Sequence, residues 1–232
     1  MKVSSFFKSV VKSVAVMAIV AGVSASAAVV EGKDYVVLEK PIANAQNTII
    51  KVYSYDCPFC YKYDKAVTKP VMAKLPDMKF TPYHLATKGV FGKYGSEVAA
   101  VAIVKDEAAG TSLLDDNSNF KKSKFALYKA YHDKKERWGG DASKAENVDA
   151  FLKTALDAIG MSKAEFEAAV KDPKVQELLT KWGMDNNGDA YSVAKIQGVP
   201  AFVVNGKYLI KTSSIRGIDQ MVNTINELKA MN

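Results

Sequence analysis

Residues 54–65, SYDCPFCYKYDK, contain Cys57 and Cys60, the only two cysteines of this 232-residue chain. A disulfide between them closes a loop of two residues, which is too short to constrain the unfolded chain much. The preceding residues 47–55, NTIIKVYSY, are rich in β-branched and aromatic side chains and predict a strand. A helix is predicted to begin directly after it, with Cys57 or the aspartate before it as the cap and Pro58 in the first turn. The cysteines are therefore predicted to lie at a strand-to-helix junction, which favours a reactive pair over a structural crosslink.

The sequence on the C-terminal side of this junction predicts an α/β fold with a helical insertion. A second strand is predicted over residues 78–86, and Pro70 should kink the helix between the two strands. A hairpin over 198–210 turns at Asn205–Gly206, a pair favoured in two-residue turns, and residues 217–231 predict a closing helix. Between the second strand and the hairpin, apolar residues recur at helical spacing in four stretches: 95–108, 124–138, 147–160 and 162–185. This order predicts an α/β core interrupted by an all-helical subdomain.

The N-terminus has the pattern of a cleaved secretory signal. Residues 1–12 carry three lysines and no acid, residues 13–24 are a short apolar run, and ASA follows at 25–27. The apolar run is shorter than the roughly 20 residues that a membrane-spanning helix needs. Cleavage after Ala27 would leave 205 residues and lower the formal charge from +7 to +4. The remaining chain has no dense block of basic residues, so nucleic-acid binding is not predicted, and export allows its thiols to oxidise.

The position of the cysteine pair favours thiol–disulfide exchange. A helix N-terminus stabilises negative charge, so the pKa of Cys57 should be lowered, and Cys60 lies one turn further on. The alternative is a metal-binding module, because CxxC thiolates also bind zinc or copper. Two thiolates are an incomplete zinc site, and neither His84 nor His132 has a sequence position that completes it. No metal site is therefore predicted; His84 is expected to be packed and His132 solvated.

Three motifs together resemble the thioredoxin superfamily and, more narrowly, the DsbA family of exported bacterial thiol oxidases. They are CPFC after a strand, YHLATKGVFGKYGSEVAAVAI at 83–103, and GVPAFVVNGKY at 198–208. The similarity runs from about residue 31 to the C-terminus. It implies a thioredoxin fold formed by residues 28–94 and 186–232, with residues 95–185 as the inserted helical subdomain.

The resemblance also implies roles for individual residues. Cys57 would be the exposed attacking thiol, Cys60 its buried partner, and Pro200 a cis-proline facing them. Val199 would offer its backbone to a bound substrate strand. The redox-active disulfide would be the sole redox group, with no further cofactor.

Two departures from the family pattern concern the tuning of the pair. The residues between the cysteines are Pro58 and Phe59, where DsbA has Pro-His, and Phe59 cannot help to stabilise a thiolate. Six residues before Cys57 the family carries a buried acid, but here the residue is Lys51, whose cation should favour the thiolate. The alternative is that Lys51 extends its stem to the surface. CPFC and this lysine together resemble the DsbL subgroup of the family.

The sequence thus predicts a periplasmic dithiol oxidase acting through Cys57 and Cys60 on reduced exported proteins. The family further implies reoxidation by a DsbB-like, quinone-linked membrane protein, and we expect a monomer that binds no nucleic acid. A disulfide isomerase or reductase of the same superfamily is the nearest alternative. Exported isomerases carry an N-terminal dimerisation domain, and the roughly 20 residues between the predicted cleavage site and the first predicted strand are too few for one.

Overall fold

The computed structural model describes residues 28–231 and contains a five-stranded mixed sheet. The predicted signal segment lies outside the described residues. The strands are β1 (Tyr35–Val37), β2 (Thr48–Tyr53), β3 (Lys79–His84), β4 (Ala201–Val204) and β5 (Tyr208–Ile210). They are arranged in the order β1-β5-β4-β2-β3, with β2 parallel to β3 and every other neighbouring pair antiparallel.

Nine α-helices surround and extend this sheet within the described residues. They are α1 (Pro58–Ala66), α2 (Thr68–Ala73), α3 (Gly92–Ala108), α4 (Asn119–Tyr128), α5 (Ala145–Asp157), α6 (Lys163–Val170), α7 (Pro173–Trp182), α8 (Asp189–Gln197) and α9 (Ile218–Ala230). A π-helical turn, Lys129–Asp133, continues α4. None of these helices is both long and apolar enough to cross a membrane.

The predicted α/β fold with a helical insertion is confirmed, since α3 to α7 lie between β3 and α8 in the chain. The division at residues 95 and 185 stays a prediction. Strand β1 was not predicted: it has three residues, and its pairing with β5, Tyr35 opposite Ile210, is set by tertiary contact and not by a local pattern.

Two predicted helical runs are each split into two helices. The run after the cysteines breaks at Val67, because Pro70 has no N–H to donate to the carbonyl four residues earlier. The run over 162–185 breaks before Pro173, where the Asp172 side chain accepts a hydrogen bond from Lys174 N at 2.8 Å and caps α7.

The sheet brings the cysteine pair next to the predicted cis-proline. Strand β2 is buried along its whole length and pairs antiparallel with β4, with Val52 opposite Ala201. The C-terminal end of β2 therefore lies beside the N-terminal end of β4. The segment from β2 to Cys57 therefore leaves the sheet at the same end of the strands where the segment ending at Pro200 enters β4.

Candidate active site

Cys57 occupies the N-cap of α1, as one of the two cap positions considered from the sequence. Its Sγ accepts a hydrogen bond from the backbone N–H of Cys60 at 3.1 Å. Helix N-termini stabilise negative charge through such unpaired N–H groups and the helix dipole. The local sequence thus places one sulfur where a thiolate is favoured.

The two thiols are electrostatically unequal. A hydrogen bond from the Cys60 thiol is the main factor that lowers the pKa of Cys57; burial opposes it, and the Cys60 N–H and the Lys88 ammonium add to the lowering. Burial raises the pKa of Cys60 well above its ordinary value, and the hydrogen bond to Cys57 raises it further, while Lys51 opposes the rise. Cys57 is therefore the thiol that ionises first.

The segment before β4 completes the surroundings of Cys57. The Val199–Pro200 peptide bond is cis, as the resemblance implied. The Cys57 Sγ lies 3.2 Å from the Val199 carbonyl oxygen, to which its thiol can donate a hydrogen bond. Phe59, the second residue between the cysteines, is 60% exposed beside them.

The expectation of an exposed Cys57 is wrong for this structure. Cys57 is only 2% exposed, against 0% for Cys60. Its sulfur is covered because it lies between the α1 backbone and the Val199 carbonyl.

Lys51 belongs to a buried charge cluster, which we define as Lys51, Asp64 and Lys124. Lys51 is 1% exposed; its Nζ lies 2.5 Å from Asp64 Oδ1 and donates to Thr68 Oγ1 at 3.1 Å. The other carboxylate oxygen, Oδ2, lies 3.2 Å from Lys124 Nζ and accepts a hydrogen bond from Tyr128 OH at 3.0 Å. The alternative in which Lys51 extends to the surface is therefore wrong.

The buried charge cluster has two cations for one anion. Burial alone would raise the pKa of Asp64, but the ammonium groups of Lys124 and Lys51 hold it below its ordinary range. Burial lowers the pKa of Lys124 to about 8, although Asp64 opposes the change. The Lys51 ammonium of this cluster opposes the rise in the pKa of Cys60, because a nearby cation favours ionised sulfur.

The prediction from sequence is confirmed for His84 and wrong for His132. His84 is packed as expected: Nδ1 lies 2.9 Å from Ser96 Oγ, and Nε2 accepts a hydrogen bond from Tyr55 N at 3.3 Å. His132 is not solvated but half-buried, with Nε2 3.0 Å from the Tyr55 carbonyl oxygen and its ring stacked on Tyr61. Within residues 28–231, no group of three or more His, Cys, Asp or Glu side chains could hold a metal ion.

Sequence reasoning missed three side chains that act on Cys57 or on Lys51. Asp64 and Lys124, which form the buried charge cluster with Lys51, were taken for ordinary polar residues of helices. Lys88, whose charge lowers the pKa of Cys57, follows β3 and is distant in sequence. The one local signal was the lysine at position 51, because a buried cation on a central strand requires a carboxylate partner.

Comparison with known proteins agrees with this geometry. The family profile described as a DSBA-like thioredoxin domain matches residues 48–226. The chain is 60% identical over 228 residues to the thiol:disulfide interchange protein DsbL of Escherichia coli O6:H1, covering 97% of this chain and 96% of that protein. It is 57% identical over 226 residues to DsbL of Lelliottia amnigena, covering 97% and 98%. The crystal structure of DsbL from Salmonella enterica serovar Typhimurium superimposes with a TM-score of 0.82 at 61% identity, covering 89% of this chain and all of that one.

A thioredoxin fold with a CxxC pair at a helix N-terminus defines the class of thiol:disulfide oxidoreductases. The chain belongs to the DSBA-like thioredoxin domain family. The predicted family is confirmed, and the similarity to DsbL proteins agrees with the subgroup indicated by CPFC and Lys51.

Proposed function

We propose that this oxidoreductase is a periplasmic dithiol oxidase in which Cys57 is the sulfur attacked by substrate. The observation that carries the proposal is the inequality of the pair: Cys57 caps α1 with a lowered pKa, and Cys60 is buried behind it with a raised one. A stabilised Cys57 thiolate makes the reduced form favourable, so the disulfide form tends to pass its oxidising equivalents to other thiols.

The reaction proceeds by two exchanges. A substrate thiolate attacks Cys57 Sγ of the Cys57–Cys60 disulfide, the S–S bond breaks, and Cys60 leaves with the electron pair and takes up a proton. A second substrate thiolate then attacks the substrate sulfur of the mixed disulfide. The substrate leaves as a disulfide, and Cys57 leaves as a thiolate stabilised at the N-terminus of α1.

The neighbouring residues have supporting roles in this proposal. Pro200 and the half-buried Val199 hold the substrate strand against Cys57, since the Val199 carbonyl lies 3.2 Å from the sulfur. Pro58 and Phe59, both exposed, form the surface that the substrate meets. The Lys51 ammonium shifts the redox equilibrium of the pair by lowering the pKa of Cys60.

The partners follow from the chemistry of the reduced form. Substrates are reduced exported proteins, and each turnover leaves two electrons on the pair. A DsbB-like membrane protein linked to quinone would remove them, by analogy with the family. Both cysteines and the cis-proline come from one chain, so a monomer is sufficient for activity.

Trapping of mixed disulfides tests the assignment of roles. Cys60→Ala, with Cys57 first converted to its mixed disulfide with glutathione, should accumulate a covalent complex with a reduced substrate that has one cysteine. The substrate thiolate displaces glutathione as its thiolate, and neither Cys60 nor a second substrate thiol is present to break the new disulfide. Cys57→Ala should accumulate none. Capture by Cys57→Ala alone would reverse the assignment.

The equilibrium with glutathione tests the direction of the reaction. An oxidase should remain reduced at ratios of reduced to oxidised glutathione far below those that reduce a structural disulfide. An equilibrium close to that of thioredoxin would instead support a reductase. Metal analysis of the purified protein tests the metal-binding alternative directly.

A further inference from the structure

The backbone carbonyl of Tyr55, two residues before Cys57, receives no hydrogen bond from its own segment. The turn that leads into α1 is closed by Cys57 N, which donates to the Ser54 carbonyl at 3.2 Å. The corresponding bond to the Tyr55 carbonyl would have to come from position 58, and Pro58 has no N–H. Tyr55 is 1% exposed, and a buried carbonyl without a partner is costly. The proline of the CPFC motif therefore makes this carbonyl depend on a donor from another element.

His132 supplies that donor from the helical insertion. Its Nε2 lies 3.0 Å from the Tyr55 carbonyl oxygen, and no other group in the described part of the chain donates to this oxygen. Because a carbonyl can only accept, Nε2 carries the proton. The imidazole is held in place by stacking on Tyr61, with the ring centres 5.6 Å apart and the ring planes at 21°. This contact joins the insertion to the segment that carries the redox pair.

The position of His132 depends on the π-helical turn that continues α4. Lys134 N donates to the Lys129 carbonyl, five residues earlier, at 3.0 Å, where an α-helix would bond four residues earlier. The same turn places Asp133 beside Tyr61, whose hydroxyl donates to Asp133 Oδ2 at 2.8 Å. Two consecutive residues of one turn therefore contact the chain on both sides of the CPFC motif, and such π-helical turns are frequent at functional sites.

The backbone of Tyr55 is also held from the opposite side. Its N–H donates to Nε2 of His84, on β3, at 3.3 Å. With its N–H and its carbonyl both bound to side chains of other elements, the Tyr55 backbone has little freedom to rotate. Cys57 follows two residues later, and its Sγ accepts the Cys60 N–H at 3.1 Å. The geometry of that hydrogen bond depends on the direction in which the turn delivers Cys57.

We propose that His132 is a positioning residue for the redox pair. By donating to the Tyr55 carbonyl, it fixes the turn that places Cys57 Sγ at the N-terminus of α1. The helical insertion thereby contributes to the reactivity of a thiol that it does not itself carry. The inference rests on the proposed role of Cys57 and adds a residue that supports it.

Substitutions at position 132 separate the donor from the ring. His132→Phe keeps an aromatic ring against Tyr61 but removes the donor, and His132→Asn removes the ring and carries an amide one bond too short to reach. Both should raise the pKa of Cys57 and make the pair about fivefold less oxidising, which corresponds to the loss of about one hydrogen bond. In His132→Gln the amide nitrogen is as many bonds from Cα as the histidine Nε2, so this variant should retain both values. Thiolate absorbance against pH and glutathione equilibria measure them, in variants shown to be folded by circular dichroism.

Tyr208→Phe is the matched control for the loss of one hydrogen bond. The Tyr208 hydroxyl donates to the Met231 carbonyl at 3.0 Å, and Tyr208 pairs with Val204 at the end of β4 away from Pro200. This substitution should lower stability without changing the titration of Cys57. The proposal is overturned if folded His132→Phe and His132→Asn titrate like the unsubstituted protein, or if His132→Gln shifts as far as they do. Either result would leave the role of Cys57 intact, because trapping of mixed disulfides tests that role separately.

Discussion

At the scale of single residues, two lysines act on two different sulfurs. Lys88 lowers the pKa of Cys57, whereas Lys51 lowers that of Cys60. Lys51 was expected to stabilise the Cys57 thiolate directly. The structure indicates that its effect reaches the pair through Cys60, the sulfur that leaves in the proposed exchange. Its charge is partly offset by Asp64, which sequence reasoning did not include.

Removing a cation and removing the anion of the buried charge cluster should shift the redox equilibrium of the cysteine pair in opposite directions. Lys51→Met removes a cation, so the pair should become less oxidising by about fivefold in the glutathione equilibrium, or ~1 kcal/mol. Lys51→Glu reverses the charge and should have a larger effect. Asp64→Asn removes the anion while both lysines remain, so the pair should become more oxidising.

Glutathione equilibria and thiolate absorbance against pH measure these shifts, with the exposed Lys153→Met as the control. Lys51→Met should also lower the free energy of unfolding by about 3–5 kcal/mol, because it removes one partner of a buried pair. Shifts of the same sign for Lys51→Met and Asp64→Asn would contradict a charge effect and indicate a packing effect.

At the scale of elements, the helical insertion is joined by capping across helices. The Asp106 carboxylate, 1% exposed on α3, accepts hydrogen bonds from the backbone N–H groups of Asn119 and Phe120 at 2.8 Å each. These are first-turn donors of α4, the helix that carries Lys124 of the buried charge cluster. Asp106 therefore fixes the start of the helix that completes the cluster.

Asp106→Ala should destabilise the protein by about 2–4 kcal/mol, since buried donors lose a charged acceptor. Urea unfolding would measure the loss. Asp116→Ala is the matched control, because that aspartate is 71% exposed in its ion pairs and should change stability by less than about 1 kcal/mol. Equal effects of the two substitutions would show that the cap contributes nothing beyond surface charge.

The elements themselves were largely predictable, and their ends were not. Apolar spacing located α5 and α9 because each buries one face. Helix α3 was also located, although its residues 98–103 are buried on every side. The Asn205–Gly206 pair located the hairpin, but the loop has three residues, 205–207, and not the predicted two. Strand β1 and the cluster partners Asp64 and Lys124 were missed for one shared reason. Each is defined by a contact made only after distant segments fold together, and a single sequence carries no local trace of such contacts.

At the scale of the whole molecule, stability should fall as the pH drops below about 6.5. Burial lowers the pKa of His84 to about 3, from an ordinary 6.5. The unfolded chain therefore binds a proton that the folded chain excludes. The stabilisation is complete above pH 6.5 and is lost as the pH falls towards 3, at up to ~1.4 kcal/mol per pH unit.

Urea unfolding between pH 7 and pH 4.5 would measure this slope. His84→Gln should reduce the pH dependence of the free energy of unfolding by the equivalent of about one bound proton, although the variant is less stable than the unsubstituted protein at pH 7. His132, whose pKa burial also lowers, should leave a smaller residual slope. An unchanged slope in His84→Gln would mean that other groups control the acid stability.

The final prediction concerns the two redox forms of the molecule. The reduced form should be more stable to unfolding than the oxidised form at neutral pH, because only the folded reduced protein has a stabilised Cys57 thiolate. The folded pKa of Cys57 is lowered, so this advantage is full above the ordinary thiol pKa of about 8.5 and is lost as the pH falls through the folded pKa. Within that window the difference should grow with pH by up to ~1.4 kcal/mol per unit.

Urea midpoints of both forms at pH 4, 7 and 8.5 would measure the difference, and the Cys57→Ser/Cys60→Ser double variant would report the pH dependence without thiols. His84 and Asp64 titrate in both redox forms, so their contributions largely cancel in the comparison. A more stable oxidised form at pH 7 would point to a structural or reductase role for the disulfide. An advantage of the reduced form that did not change with pH would mean that packing, and not the thiolate, sets the redox equilibrium.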